Sequence, residues 1–321
     1  MNKTYDITTF GEILIDFTWQ GQNEEKQTLF AQIPGGAPAN VAVAARRLGA
    51  DTAFLGKVGK DMHGVFLRSI LEGEGVETKG MVEDDNYFTT LAFVNIDKNG
   101  ERSFSFARKP GADTQITEQE IHTEILDSTN IFHVGSLSLT AQPGRETTFY
   151  AVKRAKENGS MISYDPNYRA SLWESESVAK ERMRSLIPFV DVMKISDEET
   201  GLLTDKNGVE EAAELLFRQG VKIVAITLGS EGVYVYCKDG GRKVSGFKSQ
   251  VVDTNGAGDS FWGGFLYKIN SSGKSLDEIG LDNLEEFARF GNAVASLCVE
   301  GKGAIPAMPG LAQVEERLKK I

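Results

Sequence analysis

Side chains that cross-link a chain or hold a metal are scarce in this sequence. Cys237 and Cys298 are the only cysteines in 321 residues. They form no C-x-x-C pair, so they read as buried free thiols of a reducing compartment and not as a disulfide framework. Three histidines, His63, His122 and His133, offer no H-x-x-x-H or H-E-x-x-H spacing, which argues against a histidine-rich metal site. No apolar run approaches the ~20 residues of a membrane span, and the opening "MNKTYDITTF" has no apolar signal core. A cytoplasmic protein with no membrane partner is the expectation. Positive charge is also short: 35 Lys and Arg against 46 Asp and Glu leave a net charge of -11. That balance argues against a nucleic-acid partner. It leaves room for a phosphate-bearing ligand, because backbone dipoles can hold one locally.

What is present is ordinary globular material, 40% hydrophobic and 25% charged. Short apolar runs at 13–16, 53–59, 131–137, 161–166, 191–196 and 222–229 read as strands. Stretches with three- and four-residue apolar spacing lie between them, such as Val41, Ala44, Ala45 and Leu48. Such alternation predicts an α/β fold with a mostly parallel sheet, in which ligands bind beyond the carboxyl ends of the strands. Two regions break the rhythm. Residues 17–33 are polar with scattered strand formers, and residues 88–108 alternate around Asn99-Gly100, a strong hairpin signal. Both read as strands of a small second sheet inserted into one unit spanning residues 1–321, placed as a lid over the ligand edge.

Two stretches carry chemistry. In "VVDTNGAGDSFWGGFL" (251–266) a strand end runs through glycines into a helix whose apolar face holds Phe261 and Phe265. The N–H groups of Gly256, Ala257 and Gly258 would face one spot, an anion hole strengthened by the helix dipole. Asp259 beside it should stay ionised and can take a proton. In "PGGAPANVAVAARRLG" (34–49), Gly35 and Gly36 allow close backbone approach and Pro38 suits a first helical turn. Asn40 would project from that turn as a reader of sugar hydroxyls, since an amide both donates and accepts. Asp16 at a strand end would accept from a vicinal diol. Helix and strand caps explain Asp259, Asn40 and Asp16 equally well when each is taken alone. Gly273-Lys274-Ser275 copies the tail of a phosphate-binding loop, but Lys268 stands where its glycine is needed, so it reads as a surface loop.

Together, "GGAPANVAVAARRLG" and "DTNGAGDSFWGGF" resemble the paired signatures of the ribokinase (PfkB) family of carbohydrate kinases, and the likeness runs from Asp16 to "GKGAIPAMP". The resemblance implies a ribokinase-like, Rossmann-type three-layer sandwich with a β-sheet lid, ATP as donor, Asp259 as catalytic base and the 256–258 backbone as anion hole. It implies further roles by similarity. Thr227 and Gly229 in "ITLGSEG" would sit near the nucleotide phosphates and ribose, and Asn292 in "FGNAVAS" near the adenine. "KISDEE" resembles the family's N-x-x-E magnesium motif, which places Lys194 on the nucleotide side and Glu199 near Mg2+ through water. Ser196 departs from the family's asparagine there. Backbone around Asp253 and Thr254 would hold a monovalent cation such as K+, and the lid offers a homodimer surface.

"FSFARKPGAD" (104–113) and "YDPNYRASLW" (164–173) are most similar to the fructokinase branch. By that similarity Arg108 would reach from the lid to the sugar, while Asp165, Asn167 and Arg169 line the cleft. Kinases of 2-keto-3-deoxygluconate have a similar segment, and an arginine suits a sugar acid's carboxylate. Two other classes fit the chain less well. A nicotinamide oxidoreductase would need G-x-G-x-x-G after its first strand, which "GEILIDFTWQGQ" does not offer. A catalytically dead sugar-binding regulator would have no use for Asp259 behind its glycines.

Overall fold

The computed structural model describes residues 3–96 and 102–319. The chain opens with β1 (Tyr5–Phe10), which lies inside a nine-stranded sheet and pairs in parallel on both sides. It then leaves that sheet for a second one, formed by β2 (Leu14–Gln22) and β3 (Thr28–Gly35). Return to the body comes through α1 (Ala37–Arg47), β4 (Thr52–Gly59), α2 (Met62–Gly73) and β5 (Met81–Asp84). A second excursion, β6 (Leu91–Ile96) and β7 (Arg102–Ala107), completes a four-stranded sheet in the order β3-β2-β6-β7. The Asn99-Gly100 turn expected from the sequence lies outside the described residues.

The rest of the body alternates. It contains α3 (Thr123–Asp127), β8 (Thr129–Gly135), α4 (Gly144–Glu157), β9 (Met161–Asp165), α5 (Glu176–Leu186) and β10 (Val192–Ser196). Next come α6 (Thr200–Thr204), α7 (Val209–Arg218) and β11 (Ile223–Thr227). An antiparallel edge follows, β12 (Val233–Cys237) and β13 (Gly240–Val244), before α8 (Ala257–Ser271), α9 (Leu281–Cys298) and α10 (Leu311–Lys319). The large sheet runs β13-β12-β11-β10-β9-β8-β1-β4-β5 and is parallel apart from that edge. Among the described residues no helix is long and apolar enough to cross a membrane.

One expectation needs correction. The first body strand is Tyr5–Phe10 and not residues 13–16, which instead open β2 of the small sheet. The run "YDITTF" hid its role because Thr8 and Thr9 look polar. Threonine is a good strand former, though, and both of these are fully buried, as a two-sided parallel strand requires. Asp16 therefore belongs to the small sheet, paired across from Ile33 and Ala92.

Each face of the large sheet carries its own core. On one face Phe132, Ile162, Tyr164, Met193 and Val224 pack under α4, α5 and α7. On the other, Ile7, Ile131, Val192 and Ile223 meet Phe261, Trp262 and Phe265 of α8. Trp262 and Phe265 stack at 5.2 Å, and Trp262 Nε1 donates to Ser163 Oγ at 2.9 Å. Gly263 and Gly264 let α8 lie close against α1 and α9: added Cβ atoms would meet Ala44 Cβ at 2.6 Å and Val294 Cγ2 at 2.8 Å. That packing holds the starts of α1 and α8 beside one another.

Candidate active site

α8 begins at Gly256, whose φ of 74° is left-handed. A Cβ there would also meet Ala304 Cβ at 2.5 Å, so only glycine fits the turn. The first N–H groups of any helix have no acceptor inside it and point outward. Ala257 N–H is partly spent, turning back to Thr254 O at 3.3 Å. Asp253 braces the turn: its Oδ1 accepts Asn255 N–H and its Oδ2 accepts Gly303 N–H, both at 3.0 Å. Asp253 thus ties the α8 entrance to the loop after α9, while Thr254 closes the turn itself.

Asp259, third in the helix, is buried, and its Oδ2 accepts Asn40 Nδ2 at 2.8 Å. Residues 219 positions apart are in direct contact because α1 and α8 are neighbours. Asn40's own Oδ1 is buried without a partner among the described residues. An orphan acceptor beside an oriented carboxylate fits an incoming hydroxyl donor.

Asp16 is half-buried beside Gly35, whose missing side chain leaves its carboxylate room. Burial raises its pKa to about 6; Arg169 acts against that rise, while Asp253 and Asp259 add to it. Asp16 is therefore within electrostatic reach of Arg169, Asp253 and Asp259. Arg169 is exposed, donates only to Tyr168 O, and pairs with no carboxylate among the described residues. Asn167 takes a left-handed φ of 47°, which turns the chain between Asp165 and Arg169.

Beneath the α8 entrance, Lys194 Nζ donates to Asp165 Oδ2 at 2.7 Å, and both are buried. A Cβ on Gly258 would sit 2.9 Å from that ammonium, so Lys194 touches the turn itself. Burial opposes its charge, but Asp165, Glu199 and Asp259 outweigh burial and raise its pKa. A fixed cation therefore lies under the place where negative charge would collect. Breaking a buried pair costs about 3–5 kcal/mol, so Lys194→Met should destabilise the fold by that amount. Adding Asp165→Asn should recover most of the stability in a denaturant titration. Phosphoryl transfer in the double variant should stay at least about tenfold down if Lys194 acts on the reaction, as loss of one charge-assisted contact implies. Recovery of both would leave Lys194 only the task of neutralising Asp165.

Glu199 serves the backbone. Its Oε1 accepts Tyr168 N–H at 2.7 Å, and its Oε2 accepts the N–H and Oγ of Ser196 at 2.8 and 3.0 Å. Ser196 is short and folds back onto Glu199, a capping box that leaves one lone-pair position of about four open.

Arg108 sits deeper than a lid-borne sugar reader would. It is buried against Asp113 Oδ2 (2.8 and 2.6 Å), Leu137 O (2.8 Å) and Thr140 Oγ1 (2.9 Å). Four of its five N–H groups are thereby committed. On the far side, Thr227 ends β11 with its Oγ1 on Ile195 O at 3.3 Å, and Gly229 takes a left-handed φ of 56°. Asn292 Nδ2 holds Val244 O and Ser245 O at 3.2 and 3.0 Å. These carbonyls border a cleft of about 1210 Å³, lined also by Phe247, Val252, Arg289 and Arg317, which neither Asp16 nor Asp259 reaches.

The sequence pattern did not mark Glu12 and Asp113, both buried acids close to this region. Glu12 had a faint signal, a charge inside the apolar "GEILI". His133 is a core residue: burial pushes its pKa down to about 3, and its Nδ1 lies 2.9 Å from Ser163 Oγ. No group of three His, Cys, Asp or Glu side chains among the described residues forms a protein cage for a metal.

The chain is similar to known proteins over nearly its whole length. The profile of the pfkB family carbohydrate kinases matches residues 5–310. A probable fructokinase-5 from Arabidopsis thaliana is 41% identical over 322 residues, covering 99% of each chain. A Xylella fastidiosa fructokinase solved with bound ATP superposes with a TM-score of 0.92 at 34% identity, covering 98% of both chains. A fructokinase double mutant from Vibrio cholerae O395, solved with fructose, ADP and potassium ion bound, gives a TM-score of 0.88 at 31% identity over 99% of both.

Proposed function

The chain belongs to the pfkB family of carbohydrate kinases, and from that premise we propose that it is a fructokinase, transferring the γ-phosphoryl group of ATP to a primary hydroxyl of fructose. One observation carries the reading most directly. Asp259 stands in the first turn of α8, oriented by Asn40, whose own oxygen waits for a donor. The sugar hydroxyl gives its proton to Asp259 as its oxygen bonds to the γ-phosphorus. The bond from that phosphorus to the bridging oxygen of ADP breaks, and the α8 entrance and Lys194 face the charge on the transferring group.

Asp16 and Asn40 hold the sugar, and Arg108 shapes its site from behind. The base of the nucleotide lies toward the cleft bordered by the Val244 and Ser245 carbonyls that Asn292 holds, with Thr227 and Gly229 toward its phosphates. The donor set suits a magnesium ion carried on the nucleotide, reached through water, with the open position of Glu199 as its nearest anchor. Magnesium when bound neutralises phosphate charge during transfer. Backbone at the Asp253–Thr254 turn is the place for a monovalent cation.

Arg169 favours a second reading. An exposed guanidinium without a carboxylate partner would suit the carboxylate of 2-keto-3-deoxygluconate. A coupled ADP-release assay over fructose, 2-keto-3-deoxygluconate, ribose and nucleosides decides between them. Fructose should give the highest kcat/KM, and activity should vanish with excess chelator. A preference of about tenfold or more for the sugar acid, worth some 1.4 kcal/mol, would move the substrate and keep the kinase. Activity that survives chelation would remove the magnesium role.

A further inference from the structure

The chain crosses between the two sheets four times, and the crossings converge. Gly11–Ile13 lead out of β1 into β2, and Gly36 leads back from β3 into α1. A Cβ on Gly36 would meet Glu12 O at 2.5 Å, so those two links touch. Thr90 leads into β6, and Arg108 leads back from β7. Asp113 joins this second pair: its Oδ1 accepts Thr90 Oγ1 at 2.5 Å and its Oδ2 accepts Arg108. Thr90 O in turn accepts Ile15 N–H at 3.2 Å, which ties the two pairs together.

Glu12 is the unsatisfied member of this cluster. It is 3% exposed, and its Oε1 accepts the Ala37 N–H at 3.0 Å in the first turn of α1. Its Oε2 is buried with no partner among the described residues. Burial pushes its pKa up to about 7, and the charged side chains acting on it are Arg108, which lowers it, and Asp113, which raises it. A buried orphan acceptor is costly unless some state of the molecule satisfies it. Arg108 has one N–H, on Nη1, not spent among the described residues. Among the described residues, one unpartnered carboxyl oxygen and one unspent guanidinium N–H thus share the joint on which the small sheet would tilt.

Resting on the kinase reading above, we propose that Glu12 is a positioning residue for sugar binding: closure of the small sheet brings the spare N–H of Arg108 to Glu12 Oε2. The contact would lock that sheet to the first turn of α1, which carries Asn40. Glu12 reaches no reacting atom and acts through Arg108 and α1.

Glu12→Gln isolates the charge, because an amide oxygen still accepts the Ala37 N–H. Both kinetics and coupling are to be measured with whichever sugar the parent turns over best, so a wrong sugar assignment does not touch the result. KM for that sugar should rise about tenfold, the lower range of one charged hydrogen bond, with KM for ATP unchanged. ATP hydrolysed per sugar phosphorylated should also rise, because an unlocked lid admits water. Arg108→Lys keeps a cation for Asp113 but loses the fork; it should raise the same KM and add little in the double variant. A Glu12→Gln enzyme that only melts earlier, with sugar KM and coupling at parental values, overturns the proposal. So does full additivity of the two substitutions.

Discussion

Replacing Asp259 by asparagine is expected to lower phosphoryl transfer by about 10²–10⁴-fold, the usual cost of removing a general base. The fold should survive. An asparagine at 259 still offers an oxygen to Asn40 Nδ2, so the contact that orients the side chain persists. α8 is held by Gly256, by the Trp262 and Phe265 stack and by its glycine contacts to α1 and α9, none of which involves the carboxylate. Sugar affinity should stay near the parent's, because hydroxyls can still bond to the amide at 259 and to the free Asn40 oxygen. What disappears is a proton acceptor at the reacting oxygen. Single-turnover ADP release with calorimetric sugar binding separates the two effects. Turnover within a few-fold of the parent would take the base role from Asp259, and loss of sugar affinity alone would make it a binding group.

How much of this could be read beforehand depends on whether the signal is local. The entrances of α1 and α8 were legible because a glycine turn, a proline or carboxylate in the first turn and an apolar helix face all fall within sixteen residues. Five of the six strand runs coincide with body strands, since buried parallel strands read as continuous apolar runs. β1 escaped because its buried Thr8 and Thr9 look polar, and the β12–β13 edge escaped because "VYVYC" and "GGRKV" are only half-buried, with glycine and charge breaking the apolar run in the second. Contacts between distant residues were not legible at all. Nothing in the spacing pairs Lys194 with Asp165, or Glu12 with the Ala37 N–H. Ser196 looked like a damaged motif, whereas the fold uses it with Glu199 to cap a turn. Arg108 was expected at the sugar through its likeness to the fructokinase branch, but only the packed structure shows most of its donors committed to Asp113, Leu137 and Thr140.

Asp16→Asn should move sugar affinity and stability in opposite directions. Asp16 is a half-buried carboxylate whose pKa burial lifts to about 6, with Asp253 and Asp259 adding to the rise. An aspartate in the unfolded chain titrates near 3.8, so the folded chain holds this proton more tightly. Stability from this group is therefore present in acid, falls as pH rises from about 4 to about 6, and stays reduced above that. A tenfold change in proton affinity is worth about 1.4 kcal/mol, so the ionised group costs at most about 3 kcal/mol at neutral pH, before any discount for its partial exposure. A neutral asparagine escapes that cost, and the variant should melt at a higher temperature than the parent at about pH 7.5, well above the titration of this group. The gap should close as the solution is acidified toward the unfolded-chain value. The same charge is what a vicinal diol needs, since an ionised carboxylate accepts two hydroxyl donors and an amide oxygen serves them poorly. One lost charge-assisted hydrogen bond is worth about 1.5–3 kcal/mol, which sets the expected rise in fructose KM at roughly 10- to 100-fold with little change for ATP. In the parent, kcat/KM for fructose should fall below about pH 6 as Asp16 takes up its proton, and the variant should lose that limb of the profile. A residue that merely capped a strand would show the reverse pattern, lower melting temperature and unchanged fructose KM, and that outcome would withdraw Asp16 from the sugar site.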